Sequence, residues 1–309
     1  MDLNQPIYSE RVTIDTVESE LTAGKNIKLH VLRLDKLHPV ISGNKWFKLK
    51  YYLADAADKG YKKIVTFGGP YSNHIAATAY AAKQLNFDAV GVIRGEQPLL
   101  PSHTLSAARD LGMELHFLSR DDYNLSKRSA GINPIDNRFK DHYYIPEGGF
   151  GSKGVAGAAE ILHPGDIIKY THIITAVGTG TTIAGILQVA SPQQEVIGIS
   201  AMKNNTALAD EISSLLENGI PGNLRIIHDY HFGGYAKKSQ PLLDFMNRFY
   251  RLSNIPLDFV YTGKVMYGIF DLISKNYFSP GAAILMLHTG GLQGNRSLPP
   301  GILEFREKM

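Results

Sequence analysis

The chain of 309 residues, 44% of them hydrophobic, is long enough to bury a substantial core in one large or two medium domains. Its 32 basic and 29 acidic residues are interspersed and leave a net charge of +3, which excludes the long like-charged block of a nucleic-acid-binding tail. Cysteine is absent, so disulfide bonds, thiolate metal sites and a cysteine nucleophile are excluded. No apolar run reaches membrane-spanning length and the N-terminal segment is polar. We therefore expect a cytoplasmic protein with a small-molecule partner and without nucleic-acid or membrane partners.

The first strong helical pattern lies between Asn44 and Gly60. Apolar residues recur there at steps of three and four, the spacing of one helix face. Asn44 is predicted to cap this helix and Gly60 to end it, which puts Lys45 at the helix start. Lys48 and Lys50 are expected to be solvated surface charges. The apolar residues of the face are Trp46, Leu49, Leu53 and Ala56.

From residue 60 onward, short runs rich in Val and Ile alternate with helical patterns. This alternation is typical of βαβ units around a mainly parallel sheet, so an α/β fold is predicted. The segment 120–144 is polar and poorly periodic, which favours a helix and a loop near a domain boundary. The predicted strand and helix pairs are 62–67 with 74–85, 88–94 with 102–111, 172–178 with 181–190, and 195–200 with 206–216.

A segment rich in glycine and threonine follows one of these predicted strands. Gly178 and Gly180 form the turn, and Thr181 and Thr182 open the next helix. Free backbone N–H groups and the helix dipole favour a phosphate at such a helix start, and threonine hydroxyls add donors. An ordinary strand-to-helix turn could contain the same glycines, so the segment alone leaves both interpretations open. A dinucleotide site is disfavoured, because the third glycine of that fingerprint falls on Ile183 and the next strand does not end in an acid.

A second loop, TFGGPYSNH, also leads from a predicted strand into a predicted helix. Gly68, Gly69, Ser72, Asn73 and His74 cluster at its turn. A helix start binds carboxylates as well as phosphates, so Ser72 and Asn73 could hold the carboxylate of an amino acid. The alternative is that one of the two only caps the helix and that His74 is a structural histidine. The loop by itself does not decide between them.

Together with Lys45 in the segment SGNK and a late HTGG segment, these loops resemble the 1-aminocyclopropane-1-carboxylate deaminase and D-cysteine desulfhydrase family. This family belongs to the second fold type of pyridoxal-phosphate enzymes. The resemblance covers most of the chain, and five motifs occur in the family's order. It implies that Lys45 forms the Schiff base with pyridoxal 5′-phosphate. The matching residues are Lys45; Gly68, Gly69, Ser72 and Asn73; Gly178, Thr179, Gly180, Thr181 and Thr182; Tyr235; and Tyr261 in VYTGK.

The resemblance also implies roles for the other matching residues. The segment 178–182 would hold the cofactor phosphate. Ser72 and Asn73 would hold the substrate carboxylate, with Asn73 also near the cofactor hydroxyl. Tyr235 and Tyr261 would pack around the substrate.

The architecture that the resemblance implies has two domains with mainly parallel twisted sheets, like the β subunit of tryptophan synthase. The large cofactor-binding domain would comprise residues 1–47 and 155–309, and the small α/β domain residues 48–154. The cofactor would lie in the cleft between the domains. A homodimer is expected.

Two threonines distinguish the reactions of this family. In the deaminases the resemblance implies V-Y-E-G-K and H-L-G-G, with the glutamate beside the pyridine nitrogen, whereas this chain has Thr262 and Thr289 at those positions. A carboxylate keeps that nitrogen protonated and strengthens the electron sink, while Thr289 offers only a neutral hydrogen bond. The weaker sink is adequate for removal of an α-proton and loss of hydrosulfide. An α,β-elimination that gives pyruvate, ammonia and hydrogen sulfide from D-cysteine is therefore predicted.

Three alternatives remain open. They are deamination of the cyclopropane amino acid to 2-oxobutanoate and ammonia, elimination from D-serine or a chlorinated alanine, and a non-catalytic protein that binds pyridoxal phosphate or an amino acid. A sensor of a free amino acid would not need Lys45. The chain departs from the family pattern at Trp46, at Phe47, at Tyr71 and in LQGNRS after HTGG, and we expect these departures near the substrate.

Overall fold

The computed structural model describes residues 9–128 and 139–305, and these residues form two sheets with helices packed around them. The strands are β1 Ile14–Val17, β2 Lys28–Leu32, β3 Lys63–Gly68, β4 Asp88–Arg94, β5 Glu114–Leu118, β6 Tyr143–Ile145, β7 His172–Val177, β8 Glu195–Ser200, β9 Leu224–Ile227 and β10 Ala283–Leu287. The α-helices are α1 Glu20–Gly24, α2 Lys45–Asp58, α3 Asn73–Gln84, α4 His103–Asp110, α5 Arg120–Arg128, α6 Ser152–Ala159, α7 Pro164–Ile167, α8 Thr181–Val189, α9 Leu208–Ser213, α10 Gln240–Ser253 and α11 Thr262–Ser274.

The larger sheet has six strands in the order β1-β2-β10-β7-β8-β9. Only β1 is antiparallel to its neighbour, and the other pairs are parallel. Successive residues of a strand face opposite sides, so Ile174 and Met286 pack with α10 and α11, whereas Ile173 and Leu285 pack with α6 and α8. Because helices cover both faces, the central strands are mostly apolar on both sides.

The smaller sheet has four parallel strands in the order β5-β4-β3-β6. The predicted strands and helices of both sheets are confirmed, with bounds shifted by a few residues. The prediction for segment 120–144 was only partly right, because Tyr143 and Tyr144 belong to β6, which pairs with β3. A short edge strand is only half-buried, so its sequence lacks the continuous apolar run that marks the central strands. Residues 129–138 of that segment lie outside the described residues.

The carboxyl ends of parallel strands from both sheets open onto one cavity, where α/β proteins bind their ligands. β3 and β4 contribute from the smaller sheet, and β7, β8 and β10 from the larger. No helix in the described part of the chain combines the length and the apolar character that crossing a membrane requires. The segments after these strands that line the cavity are 69–74, 94–96, 178–183, Met202 and 289–290.

Candidate active site

A cavity of about 1080 Å³ lies between the two sheets. The residues that the sequence resemblance assigned to cofactor or substrate line it, with the exception of Gly68, although they come from distant parts of the chain. The fold therefore brings the predicted residues together in one place. They are Lys45, Ser72, Asn73, Gly178, Thr179, Gly180, Thr181, Thr182, Tyr235, Tyr261 and Thr289.

Lys45 is the first residue of α2, as predicted. Asn44 precedes the helix, but its side chain makes no capping hydrogen bond, and its Oδ1 instead accepts a 2.5 Å hydrogen bond from Lys45 Nζ. Burial lowers the pKa of Lys45 to about 8, although the negative charge of Asp258 acts to raise it. A part of the amine is therefore neutral near neutral pH, which is the form that attacks an aldehyde.

The backbone before Lys45 is packed against the HTGG segment. Gly43 has a φ of +70°, and a Cβ at this position would lie 1.8 Å from the carbonyl oxygen of Thr289. Asn44 N donates a 3.3 Å hydrogen bond to the same oxygen. Only glycine fits here, and the close contact places Thr289 beside the lysine in the cavity wall.

The glycine- and threonine-rich loop leads into α8. Gly180 takes the left-handed conformation with a φ of +78°, and a Cβ there would lie 2.7 Å from Ile212 Cγ1. No side chain caps the helix, so its first N–H groups remain available to a ligand. Thr182 Oγ1 accepts a 2.8 Å hydrogen bond from Asn44 Nδ2, which joins this loop to the lysine turn. The uncapped helix start and the threonine hydroxyls fit a phosphate group.

Lys48 contradicts the prediction that it is a solvated surface charge. It is only 5% exposed and lines the cavity. Its Nζ lies 3.8 Å from the position that a Cβ of Gly148 would occupy, and Thr179 Cγ2 lies 3.1 Å from the same point, so the amine faces the phosphate-type loop. Burial and the charge of Lys45 lower the pKa of Lys48 well below its usual range. A phosphate here would restore the charged form of the amine.

The position of Lys48 could have been found from the sequence, because residues three apart share a helix face. Lys45 and Lys48 occupy such positions on α2. Lys50 lies outside the cavity and forms an ion pair with Glu160, and its side chain is only 13% exposed, so the prediction of a solvated charge was only partly right.

Ser72 both caps α3 and lines the cavity, so the two interpretations of this residue are compatible. Its Oγ accepts hydrogen bonds from the backbone nitrogens of His74 at 3.2 Å and Ile75 at 3.4 Å. Asn73 Oδ1 accepts a 3.0 Å hydrogen bond from Gln293 Nε2. Gln293 belongs to the LQGNRS segment that departs from the family pattern, and this departure therefore contacts a predicted site residue.

His74 is a buried residue in the cavity wall with one satisfied nitrogen. Thr66 Oγ1 donates to the carbonyl oxygen of Ile145 and lies 2.8 Å from His74 Nε2. Because the hydroxyl proton is used, the ring must donate from Nε2. Burial, followed by the charges of Lys48 and Lys45, lowers the pKa of His74 well below its usual range. Nδ1 has no partner among the described residues and remains an acceptor.

Tyr235 and Tyr261 form an edge-to-face pair with ring centroids 5.9 Å apart. The Tyr261 hydroxyl lies 3.6 Å from the position that a Cβ of Gly178 would occupy, so this ring borders the phosphate-type loop. Burial raises the pKa of Tyr261 well above its usual range and also raises the pKa of Tyr235. Both phenols therefore keep their protons and can donate hydrogen bonds.

The two threonines that separate the family's reactions lie in different environments. Thr289 lines the cavity, whereas Thr262 is fully buried and its Oγ1 donates a 2.7 Å hydrogen bond to Asp258 Oδ1. Asp258 also accepts hydrogen bonds from the backbone nitrogens of Val260, Tyr261 and Thr262 at 2.9 Å each. No sequence pattern indicated this buried carboxylate. Its hydrogen bonds fix the start of α11, and its negative charge favours the protonated form of Lys45.

Lys264 is a second buried lysine that the sequence analysis missed. Its Nζ donates to the backbone carbonyls of His231 at 2.9 Å, Gly234 at 2.7 Å and Ala201 at 3.4 Å. These bonds tie α11 to the segment that carries Tyr235. Lys264 therefore helps to fix the position of Tyr235 relative to Tyr261.

The other departures from the family pattern bear on different parts of the molecule. Tyr71 lines the cavity and is 50% exposed. Trp46 is 1% exposed in the core of the smaller sheet, and Phe47 packs against the same core. The expectation that all departures lie near the substrate was wrong for these two residues, because the side of α2 that they occupy faces hydrophobic neighbours.

Lys45 has a lowered pKa and lies in the same cleft as the uncapped start of α8, at the carboxyl ends of parallel strands. This arrangement meets the requirements of pyridoxal phosphate chemistry. Residues 18–290 match the family model described as pyridoxal-phosphate dependent enzyme, and the chain belongs to this family. The predictions of the cofactor and of a pyridoxal-phosphate-dependent enzyme are thereby confirmed.

Two curated relatives and one solved structure are similar to most of this chain. The mitochondrial bifunctional D-cysteine desulfhydrase/1-aminocyclopropane-1-carboxylate deaminase of Arabidopsis thaliana is 30% identical, over 86% of this chain and 73% of that protein. The D-cysteine desulfhydrase of Klebsiella pneumoniae is 28% identical, over 85% of this chain and 87% of that protein. A solved structure of a homologue of the cyclopropane-carboxylate (ACC) deaminase is 27% identical with a TM-score of 0.78, and covers 96% of this chain and 92% of that one. The predicted family resemblance and the second fold type are confirmed.

Proposed function

We propose that this protein catalyses a D-cysteine desulfhydrase-like α,β-elimination that yields pyruvate, ammonia and hydrogen sulfide. The observation that carries the proposal is Lys45, whose pKa burial lowers to about 8 in the same cavity as the open start of α8. The similarity to enzymes named D-cysteine desulfhydrase supports the substrate class.

In this proposal, the cofactor is held at both ends by residues of the larger sheet and of α2. Lys45 binds the aldehyde, and the segment 178–182 together with Lys48 binds the phosphate. Asn73 would lie near the cofactor hydroxyl, and Thr289 would give a neutral hydrogen bond to the ring nitrogen. The bound cofactor supplies the electron sink that acidifies the α-carbon of an amino acid.

The protein's own groups bind and deprotonate the substrate. Ser72 and Asn73 hold its carboxylate at the start of α3. The substrate amine would first take the place of Lys45 on the cofactor aldehyde. The freed amine of Lys45 would then take the proton from Cα, whose electron pair forms the Cα–Cβ double bond as the Cβ–S bond breaks and hydrosulfide leaves with the electrons of that bond. Hydrolysis of the remaining aminoacrylate gives pyruvate and ammonia. Tyr235 and Tyr261 pack around the substrate and donate hydrogen bonds to it.

The alternative reaction is deamination of 1-aminocyclopropane-1-carboxylate, which is favoured by the similarity to the bifunctional plant enzyme. Elimination is preferred here because neither Thr262 nor Thr289 brings a carboxylate to the ring nitrogen. A non-catalytic binding protein is the alternative of another class. Family membership and the amine of Lys45, which such a protein does not need, both count against it.

A product assay distinguishes these alternatives. Purified holoenzyme is offered D-cysteine and the cyclopropane amino acid, and sulfide, pyruvate and 2-oxobutanoate are measured. We expect sulfide and pyruvate to form faster than 2-oxobutanoate. Faster 2-oxobutanoate formation would assign the deaminase activity, and no product from either substrate would contradict both reactions.

A pair of single variants at the cavity-lining Thr289 tests the role of charge at the ring nitrogen. Thr289→Glu is expected to raise 2-oxobutanoate formation relative to sulfide. Thr289→Gln is the matched neutral control, and it should not shift the ratio. Equal ratios in the two variants would contradict the electronic argument.

We also propose the domain division 1–47 with 155–309 and 48–154, and a cytoplasmic homodimer. The division is supported by the smaller sheet, whose strands lie between Lys63 and Ile145. The two boundaries fall inside α2 and α6, which cross between the domains. The dimer and the location rest on the sequence analysis, and light scattering on the purified holoenzyme tests the dimer.

A further inference from the structure

Two arginines face the cavity from the smaller sheet. Arg94 is the last residue of β4, and Arg120 is the first residue of α5, just after β5 ends at Leu118. The two strands are neighbours, with Arg94 opposite Leu118. Both arginines line the cavity, so adjacent strand ends place two guanidinium groups on the same wall.

Arg94 lies beside the predicted carboxylate loop and near the ring of Tyr123, a residue of α5. Its Nη2 is 3.6 Å from the position that a Cβ of Gly69 would occupy, and its Cζ is 5.9 Å from the ring centre of Tyr123. The guanidinium therefore lies next to the loop that we assign to the substrate α-carboxylate, within reach of a substituent on the neighbouring Cβ of a bound amino acid.

These arginines form no ion pair with a carboxylate in the described part of the chain. Glu96 and Glu147 also line the cavity, as does Lys237. In the proposed function the cofactor phosphate and the α-carboxylate have other partners. The two guanidinium groups thus remain for a second anion, in a cavity of about 1080 Å³, which slightly exceeds the usual volume of small-molecule sites, about 300–1,000 Å³.

We propose that Arg94, assisted by Arg120, binds a negatively charged β-substituent of the amino-acid substrate. This inference rests on the proposed elimination and adds a second substrate class to D-cysteine: amino acids whose β-carbon bears an anionic leaving group. In the reaction Lys45 takes the α-proton, the bond from Cβ to the substituent breaks, and the substituent leaves with the electron pair. Water then converts the aminoacrylate to pyruvate and ammonia.

The test compares two substrates that give the same products. O-phosphoserine carries an anionic β-group and 3-chloroalanine a neutral one, and each is offered as both enantiomers to the holoenzyme. Arg94→Gln is expected to lower kcat/KM for O-phosphoserine by about 30-fold, the size of a lost charge-assisted contact, and for 3-chloroalanine by less than about threefold. Arg109→Gln is the matched control, because it removes the same charge from an exposed position of α4 outside the cavity.

Each outcome decides the proposal. An equal loss on both substrates would overturn it, because Arg94 would then bind the α-carboxylate or support the fold, and no loss on either would overturn it as well. If 3-chloroalanine gives pyruvate but Arg94→Gln has no selective effect on O-phosphoserine, the proposed elimination is supported and the anionic subsite is contradicted. If neither substrate gives pyruvate, the elimination fails. Calorimetric binding of O-phosphoserine then decides the subsite: weaker binding to Arg94→Gln supports it, and equal binding overturns it.

Discussion

Asn44 Nδ2 donates a 2.8 Å hydrogen bond to Thr182 Oγ1, and this bond joins the turn that presents Lys45 to the start of α8. Both partners are buried. The Oδ1 of the same Asn44 side chain accepts a hydrogen bond from Lys45 Nζ. One amide therefore contacts both the amine and the loop that we assign to the cofactor phosphate, and it fixes the spacing between them.

Thr182→Val should weaken cofactor binding and the fold together. The change removes the acceptor and leaves the Asn44 amide unpaired, at a cost of about 1–3 kcal/mol in the free energy of unfolding of the apoenzyme. We expect the dissociation constant of pyridoxal phosphate, measured by absorbance titration, to rise about tenfold. Thr175→Val is the control, because this buried hydroxyl has no partner among the described residues. Equal effects of the two variants would show that the Asn44 bond is unimportant.

The sequence predicted most of what depends on local pattern. Lys45 at a helix start and the open turn at Gly180 follow from periodicity and glycine placement, and both are present. The burial of Lys48 depends on its packing against Gly149, whose Cβ would lie 3.0 Å from Lys48 Cβ. That contact joins residues about a hundred positions apart, so helix periodicity predicts the side of α2 on which Lys48 lies but not its burial. The bond between Thr262 and Asp258 was missed for a related reason, because a motif identifies a residue without giving the direction of its side chain.

Gly178→Ala should separate cofactor binding from folding. Gly178 does not need a positive φ, and an added Cβ would meet Tyr261 at 3.6 Å, an ordinary contact. We expect the free energy of unfolding to change by less than about 1 kcal/mol, while the methyl group hinders the approach of a phosphate to the backbone and weakens cofactor binding. Gly180→Val, by contrast, should destabilise the fold as well, because of its positive φ and its contact with Ile212.

Gly165→Ala is the matched control for this pair, since an added Cβ there meets nothing within 4 Å. Calorimetry of the apoenzymes and absorbance titration with pyridoxal phosphate give the two quantities. Unchanged cofactor affinity in a folded Gly178→Ala protein would contradict the assignment of the phosphate to this loop.

The rate of cofactor uptake by the apoenzyme should follow the titration of Lys45. Only the neutral amine attacks an aldehyde, and burial lowers the pKa of Lys45 to about 8. The rate is therefore expected to rise with pH and to level off above about pH 8, whereas a free lysine amine, with a pKa of about 10.4, continues to gain. Stopped-flow absorbance with Nα-acetyl-lysine amide as the reference measures the difference. A rate that is still rising at pH 10 would mean that Lys45 is not desolvated.

The most direct test of the account is to identify the lysine that carries the cofactor. Purified protein reconstituted with pyridoxal phosphate is reduced with borohydride, digested, and mapped by mass spectrometry. Lys48 and Lys264 are the competing buried lysines, and Lys45→Ala is the control that should lose the label. We predict a yellow protein with the reduced cofactor on Lys45. A label on Lys48, Lys264 or any other lysine, or a colourless protein that does not take up the cofactor, would contradict the central claim.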